Sequence, residues 1–142
     1  MAAPEMTIEM IGTLNHLGSI RDQIRGFAQR CRFSKEAINE IELAVDEAVA
    51  NVILHAYAPA REGLLEIRAK LDRGVLSIAI RDFGKSFKPR PLTAQEVKKI
   101  FTSRESHGRG RYIMHQCMDS VTYISLPKQY NETVMVKKTT KK

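Results

Sequence analysis

The sequence predicts an α+β domain of two layers, in which helices cover one face of a mixed, mostly antiparallel sheet. Three observations predict it: strand-like segments outnumber helical crossovers, two strands meet at a hairpin turn, and the helical segments are amphipathic. The 142 residues are enough for one domain, and no linker or internal repeat divides them. We therefore expect residues 1–142 to form a single domain.

The first part of the chain predicts one strand followed by two helices. Glu5–Ile11 alternates polar and apolar residues, as a half-buried strand does. Apolar residues then recur at spacings of three and four from Leu14 to Cys31, and again from Lys35 to about Ala56. Ser34 is the expected N-cap of the second helix, because its hydroxyl can accept a backbone N–H of the first turn.

The next segments predict a β-hairpin. Leu64–Leu71 alternates cleanly, and Val75–Asp82 is apolar on both faces, so the latter is expected at the centre of the sheet. Asp72-Arg73-Gly74 between them is a hairpin signal, because glycine readily adopts a positive φ.

The rest of the chain predicts a lid over a site and a second pair of strands. We call residues 83–110 the lid segment, since it is long and basic and contains one short helical pattern at Thr93–Ile100. Arg111–Met118 predicts a helix, and Ser120–Leu126 and Glu132–Lys138 predict two strands.

The positive charge is concentrated in one segment. The net charge is +7, and residues 83–111 hold eight basic side chains against two acidic ones. Such a local concentration suits a compact anion, such as a polyphosphate, better than a long nucleic-acid track. Only 6% of the residues are aromatic and no stacking set is evident, so we expect no nucleic-acid partner. The four lysines after Val136 are expected to form a solvated end.

The remaining composition indicates a cytoplasmic protein without a membrane segment or structural metal. No uncharged stretch approaches the length of about 20 residues that spans a bilayer. Cys31 and Cys117 match no metal-binding or disulfide spacing, and are expected to be reduced thiols.

A polar stripe on the second helix is the first candidate site. Glu47, Asn51 and His55 are spaced by four residues and share one helix face, while Glu42 and Asp46 beside them are expected to face solvent. The stripe either lines a pocket or is itself a solvent face. A carboxylate and a carboxamide one turn apart can accept a proton and hold a hydrated Mg²⁺.

Two further candidate sites contain glycines. Asp82 is the last residue of the predicted central strand, and Gly84 follows two residues later. This pattern is typical either of a ligand site at the end of a sheet or of a simple turn. Gly108-Arg109-Gly110 opens the next helix, and two glycines there either expose amide N–H groups to a phosphate or form an ordinary loop.

Together these three features resemble the nucleotide-binding boxes of the GHKL superfamily ATPases, and more closely the anti-sigma factor serine/threonine kinases. The segment from Ile41 to Tyr57 is similar to the N-box helix of that subgroup. Asp82-x-Gly84-x-x-Phe87-x-Pro89 is similar to its G1 box, and Gly108-Arg-Gly110-x-x-Ile-Met114 is similar to its G2 box. Asn131-x-Thr133-x-Val is similar to its final strand.

The resemblance implies a role for each matched residue. Glu47 would be the general base, and Asn51 would ligate Mg²⁺ on the triphosphate. Asp82 would accept the adenine amine, Gly84 would let adenine lie against backbone, and Thr133 would back the adenine pocket. Gly108 and Gly110 would wrap the phosphates of ATP, and Arg109 is a candidate contact for the γ-phosphate. Lys88 and Arg111 depart from the subgroup, which commonly has an acid and a leucine there.

The resemblance implies an ATP-dependent serine/threonine kinase that holds a sigma factor and phosphorylates a STAS-domain anti-anti-sigma factor. The alternative is an ATP-binding switch with little or no kinase activity. The catalytic half of a two-component histidine kinase is disfavoured, because no phosphoacceptor helix pair precedes residue 1 and His16 lies in no matching box. The sequence leaves open whether the chain forms a homodimer.

Overall fold

The computed structural model describes residues 3–86, 93–102 and 109–139 of the chain. These residues contain the strands β1 (Glu5–Gly12), β2 (Gly63–Asp72), β3 (Val75–Asp82), β4 (Ser120–Leu126) and β5 (Tyr130–Lys138). They also contain the helices α1 (Leu17–Arg30), α2 (Lys35–Asn51), α3 (Ala94–Thr102) and α4 (Arg109–Cys117). A 3₁₀ turn at Leu14–His16 precedes α1, and a π-helical stretch at Val52–Ala56 continues α2.

The five strands form one sheet in the order β1-β2-β3-β5-β4. Every pairing among the described strands is antiparallel, so the expected mostly antiparallel sheet is confirmed. β3 occupies the centre, as its apolar residues on both faces predicted.

The β2–β3 hairpin lies at the predicted Asp72-Arg73-Gly74 signal, but its turn contains only two residues, because Asp72 belongs to β2. Arg73 and Gly74 have φ angles of 54° and 77°, and Asp72 pairs with Val75 across the turn. Two successive positive φ values give a type I′ turn, whose twist matches that of the flanking strands.

Alternate residues of the strands face the helices and form the core. On β2 these are Leu65, Ile67 and Ala69, and on β3 they are Leu76, Ile78 and Ile80, all at most 1% exposed. The apolar side of α2, from Ile38 to Val49, is buried against them. The opposite sheet face carries the exposed and half-buried residues of each strand, which confirms the two-layer prediction.

Helix α2 begins where the sequence predicts and changes its winding near its end. The Ser34 hydroxyl accepts a hydrogen bond from the Ala37 N–H at 3.1 Å, which satisfies one of the free amides of the first turn. After Asn51 the chain is π-helical, and the Tyr57 N–H reaches back to the Val52 carbonyl at 3.1 Å. Such widened turns are frequent at functional sites.

The expectation that Glu42 and Asp46 face solvent is wrong. Glu42 is 9% exposed, and Arg25 of α1 donates to both of its carboxylate oxygens at 2.9 and 2.7 Å. Arg21, one turn earlier in α1, donates twice to Asp46 Oδ2 at 3.0 and 2.7 Å. Periodicity within α2 could not reveal these pairs, because the arginines belong to another helix.

The expectation of a solvated lysine end is wrong for Lys137. Its ammonium donates to the Cys117 carbonyl at the end of α4 at 2.6 Å and lies 3.1 Å from Glu40 Oε1. A cation is favourable there because the C-terminal carbonyls of a helix carry partial negative charge.

Candidate functional site

Glu47 and Asn51 lie on the same side of α2 with their side-chain polar groups free. Both residues are half-buried, and neither side chain hydrogen-bonds to any residue that the structure describes. Burial, and secondly the neighbouring charge of Asp46, raise the pKa of the Glu47 carboxyl above its usual range. A carboxylate held in this way is a better proton acceptor than an ordinary exposed glutamate.

His55, the third residue of the predicted stripe, belongs to the π-helical stretch. It is exposed, whereas Glu47 and Asn51 are half-buried, so the stripe becomes more exposed toward its end.

Asp82 is a buried carboxylate at the end of the central strand. It is 2% exposed, and its Oδ1 accepts hydrogen bonds from Asn131 Nδ2 at 2.8 Å and from the Gly84 N–H at 3.0 Å. Its Oδ2 accepts none from the described residues. Burial raises the pKa of Asp82, and the two hydrogen bonds to its ionised form oppose that rise.

Position 84 requires glycine, because the backbone of Ala56 lies very close to it. A Cβ at this position would collide with the Ala56 carbonyl oxygen and lie only 2.7 Å from the Ala56 carbonyl carbon. The Lys85 N–H donates to the same Ala56 carbonyl at 3.0 Å. The chain leaving β3 is thus fixed directly against the π-helical end of α2.

Tyr57 reinforces this junction and was not singled out from the sequence. Its hydroxyl donates to the Leu64 carbonyl at 2.6 Å and accepts the Phe83 N–H at 2.8 Å. Gly63 leaves room for the ring, since a Cβ there would overlap it. The only sequence signal was the position of Tyr57 within the N-box resemblance.

The first turn of α4 lies against Glu47. A Cβ built on Gly110 would overlap Glu47 Oε2 and lie 3.0 Å from Glu47 Cδ. The N-terminus of α4, with the positive end of its dipole, is therefore next to the predicted base. Gly108 and the lid positions 87–92 lie outside the described residues, as does the side chain of Arg109, whose backbone begins α4.

Thr133 and Asn131 lie on the helix-covered face of β5. Asn131 pairs with Asp82, and Thr133 pairs with Ile80, the next residue of β3 on that face. Asn131 is 4% exposed, and no role was predicted for it. Its local signal was its place in the Asn131-x-Thr133-x-Val match, which does not reveal the contact with Asp82, because that contact depends on the register between β3 and β5.

The structure therefore brings most of the predicted residues together around the end of α2. Gly110 adjoins Glu47, Gly84 adjoins Ala56 just beyond Asn51, and Asp82 lies two residues before Gly84. Among the departures from the family pattern, Arg111 is half-buried in α4, and Lys88 is outside the described residues.

The oxygen atoms that the described residues offer suit a magnesium ion that is bound mainly by a substrate. The described residues contain no group of three or more His, Cys, Asp or Glu side chains arranged to hold a metal. Mg²⁺ usually takes one or two protein oxygens and completes its shell with water and phosphates. The free Asn51 amide oxygen meets that need.

An antiparallel sheet under helices, with a buried Asp at a strand end and a Glu and an Asn on the facing helix, is consistent with the fold of a histidine kinase-like ATPase domain. The chain belongs to the histidine kinase-like ATPase domain family, whose model matches residues 11–137.

Relatives in this family are named as sigma-factor regulators and kinases. The chain is 29% identical to an anti-sigma F factor of Halalkalibacterium halodurans over 94% of this chain and 91% of that protein. It is 29% identical to the serine-protein kinase RsbW of Bacillus subtilis over 75% of this chain and 69% of that protein. These relatives support an anti-sigma kinase role at the level of the family.

The fold is also that of a solved structure. The RsbU and RsbW domains of Rv1364c from Mycobacterium tuberculosis match with a TM-score of 0.71 at 16% identity. The match covers 98% of this chain and 33% of that one. Within the described part of the chain, no helix is both long and apolar enough to cross a membrane.

Proposed function

We propose that the chain is an ATP-dependent serine/threonine protein kinase of the anti-sigma type. The observation that carries the proposal is the contact between Gly110, at the start of α4, and the unpaired carboxylate of Glu47. This contact places the N-terminus of α4, which can bind phosphate, next to a carboxylate that can accept a proton.

The adenine of ATP would lie at the junction of β3 and the end of α2. Asp82 Oδ2 would accept the exocyclic amine, and Gly84 would allow the ring to approach the backbone. Thr133 would back the pocket from β5. The burial of Asp82 and its free oxygen support this role, because an unpaired acceptor in a nearly dry site selects a ligand that donates.

The triphosphate would lie between the start of α4 and α2. Gly108, Arg109 and Gly110 would surround it, with free amide N–H groups from the helix terminus and the positive charge of Arg109. Asn51 would hold Mg²⁺, which, when bound, offsets the negative charge of the phosphates.

Transfer would be a single displacement at the γ-phosphorus. A serine or threonine hydroxyl of the partner forms the new P–O bond, the bond to ADP breaks, and Glu47 accepts the hydroxyl proton. The raised pKa of Glu47 supports this role, because a stronger base takes the proton more readily.

The protein partners would be a sigma factor, which the chain holds, and a STAS-domain anti-anti-sigma factor, which it phosphorylates. The name anti-sigma F factor of one relative supports the sigma factor, and the name serine-protein kinase of another supports a protein that is phosphorylated. We place the protein in the cytoplasm with its partners, without nucleic acid or membrane as a ligand. Residues 1–142 would act as one domain, with the lid segment 83–110 closing over ATP.

We also propose that the chain forms a homodimer, and the sheet face opposite the helices supports this. Ile11 and Leu64 are cross-strand neighbours that are 51% and 42% exposed. Leu126, which pairs with Tyr130 near the opposite edge of the sheet, is 37% exposed. A second copy related by a two-fold axis could cover these apolar side chains. Sedimentation of the wild type and of Leu64→Asp tests it, and a dimer unaffected by the substitution would exclude this face.

Phosphate transfer tests the proposed kinase directly. The chain is incubated with labelled ATP and the STAS-domain proteins encoded by its own genome, and Glu47→Gln is the matched inactive variant. Label on a serine or threonine of one STAS protein, dependent on Glu47, supports the kinase. ATP binding without transfer to any of them would replace the kinase by the ATP-binding switch.

A further inference from the structure

Three polar side chains form a row across β4, β5 and β3 at the end of the sheet. Ser125 pairs with Asn131, and Asn131 pairs with Asp82, so the three lie side by side. The Ser125 hydroxyl donates to Asn131 Oδ1 at 2.7 Å, and Asn131 Nδ2 donates to Asp82 Oδ1 at 2.8 Å. The same Nδ2 donates to the Lys85 carbonyl at 3.0 Å.

The chemistry of these neighbours fixes the orientation of the Asn131 amide. An ionised carboxylate and a backbone carbonyl can only accept, so the NH₂ group of Asn131 must face both of them. The amide oxygen then faces Ser125, whose hydroxyl can donate. A flipped amide would oppose its oxygen to two acceptors at about 3 Å, an arrangement in which no hydrogen bond forms.

This orientation has two consequences for Asp82. The donated hydrogen bond favours the ionised carboxylate in a site where burial favours the neutral one. It also occupies Oδ1, together with the Gly84 N–H, and leaves Oδ2 as the oxygen that accepts no hydrogen bond from the described residues. The Lys85 contact ties the same amide to the chain that leaves β3.

We propose that Asn131 is a specificity-determining positioning residue of the nucleotide site. By donating to Asp82 Oδ1, it keeps Asp82 an obligate acceptor at Oδ2. The site thus favours a purine with an amino group at position 6 over one with an oxo group. The inference rests on the proposed binding of ATP and adds to it a residue that acts through Asp82.

Removing the amide N–H should therefore change selectivity and not merely affinity. In Asn131→Asp, two carboxyl groups would lie about 2.8 Å apart, which favours protonation of one of them, and an Asp82 protonated at Oδ2 can donate to an oxo group. In Asn131→Ala, Asp82 loses one donor, and water can enter the space. Both variants free Asp82 to accept or to donate.

The test is calorimetric titration of the whole chain with ADP and GDP, neither of which can donate a γ-phosphoryl group. We expect the wild type to prefer ADP by about ten- to hundredfold, as a site built around one hydrogen-bonding pattern does. In Asn131→Asp and Asn131→Ala the preference should fall by about tenfold. Arg25→Ala is the control, because it breaks an ion pair between α1 and α2 remote from this row, and it should keep the wild-type ratio.

The outcomes separate the inference from the function on which it rests. A wild-type preference for ADP that falls in either folded Asn131 variant but not in Arg25→Ala supports the role of Asn131. Equal losses for ADP and GDP, with the ratio unchanged, would overturn it and leave Asn131 a packing residue. A wild type that binds neither nucleotide would overturn the proposed function and the inference together.

Discussion

The backbone of Gly110 in α4 touches the carboxylate of Glu47 in α2, so closely that a Cβ at Gly110 would lie 3.0 Å from Glu47 Cδ. The contact explains why a residue without a side chain lies in the first turn of α4. It also places the predicted base next to the predicted phosphate site at the start of α4.

Gly110→Ala should therefore displace the Glu47 carboxylate and slow phosphate transfer. A misplacement of about 1 Å at a reacting group costs on the order of 10²-fold in rate. Thermal unfolding should change little, because the obstructing group is the end of a flexible side chain. Gly18→Ala in α1 is the control: a Cβ there meets nothing within 4 Å, so stability should rise by about 0.5–1 kcal/mol with no change in rate. A Gly110→Ala variant with wild-type rates would contradict the importance of the contact.

Glu47→Gln should abolish most of the transfer while it stabilises the fold. Removing the proton acceptor costs about 10²–10⁴ in rate. Because the pKa of Glu47 is raised in the folded state, its ionised form lowers the free energy of unfolding. This destabilisation is absent in acid and is present once the pH exceeds the folded-state pKa. Gln removes that destabilisation, so the variant should melt higher than the wild type at pH 7, and the difference should shrink toward pH 4. A lower melting temperature at pH 7 would contradict this account.

The same pKa sets the acidic limit of the reaction. Because the base must be ionised to accept a proton, the rate of transfer should fall with decreasing pH at a point above the ordinary range of a glutamate. Replacing Asp46 with Asn removes a neighbouring negative charge, so it should move that limit to lower pH. An unshifted profile in Asp46→Asn would show that Asp46 does not influence Glu47.

Asn51→Ala tests the magnesium site. The variant should weaken binding of Mg·ATP much more than binding of ATP in excess chelator, because the amide oxygen is proposed to act through the metal. Calorimetry under both conditions measures the difference. Equal losses would make Asn51 a packing residue.

Asp82→Asn tests whether Asp82 recognises the adenine base. The wild type should bind ATP about ten- to hundredfold more tightly than GTP, because the guanine oxygen would face an acceptor. The variant can turn an NH₂ toward the base, so it should lose ATP affinity and narrow the gap to GTP. If Asp82 were only a turn residue, the preference would be the same in both proteins.

Glu42→Gln tests the pairing of α1 with α2. The variant keeps the shape of Glu42 but weakens two charge-assisted hydrogen bonds from Arg25, so the melting temperature should fall. Arg25→Ala should give little further loss in the Glu42→Gln background, which a double-mutant cycle measures. Added salt should weaken the effect, since the arginine is partly exposed. Fully additive losses would contradict the pairing.

The sequence by itself determined the elements and most of the candidate site. Strand alternation, helical periodicity, the Ser34 cap and the Arg73-Gly74 turn each depend on residues close together in the chain, and all were confirmed. The family motifs identified Glu47, Asn51, Asp82 and Gly110 because motif spacing is also local. The hairpin of β2 with β3 followed from the turn signal, and the central place of β3 followed from its hydrophobic content, but the full order of the strands was not predicted.

Only the tertiary structure decided which of these residues meet. Asp82 and Asn131 are 49 residues apart, and they are joined by the register of β3 on β5, which no local pattern specifies. The burial of Glu42 depends on an arginine 17 residues earlier, and the π-helical winding after Asn51 coincides with a loop that docks on Ala56. These contacts arise when helices and strands pack, because only packing sets the distances between elements that are far apart in sequence.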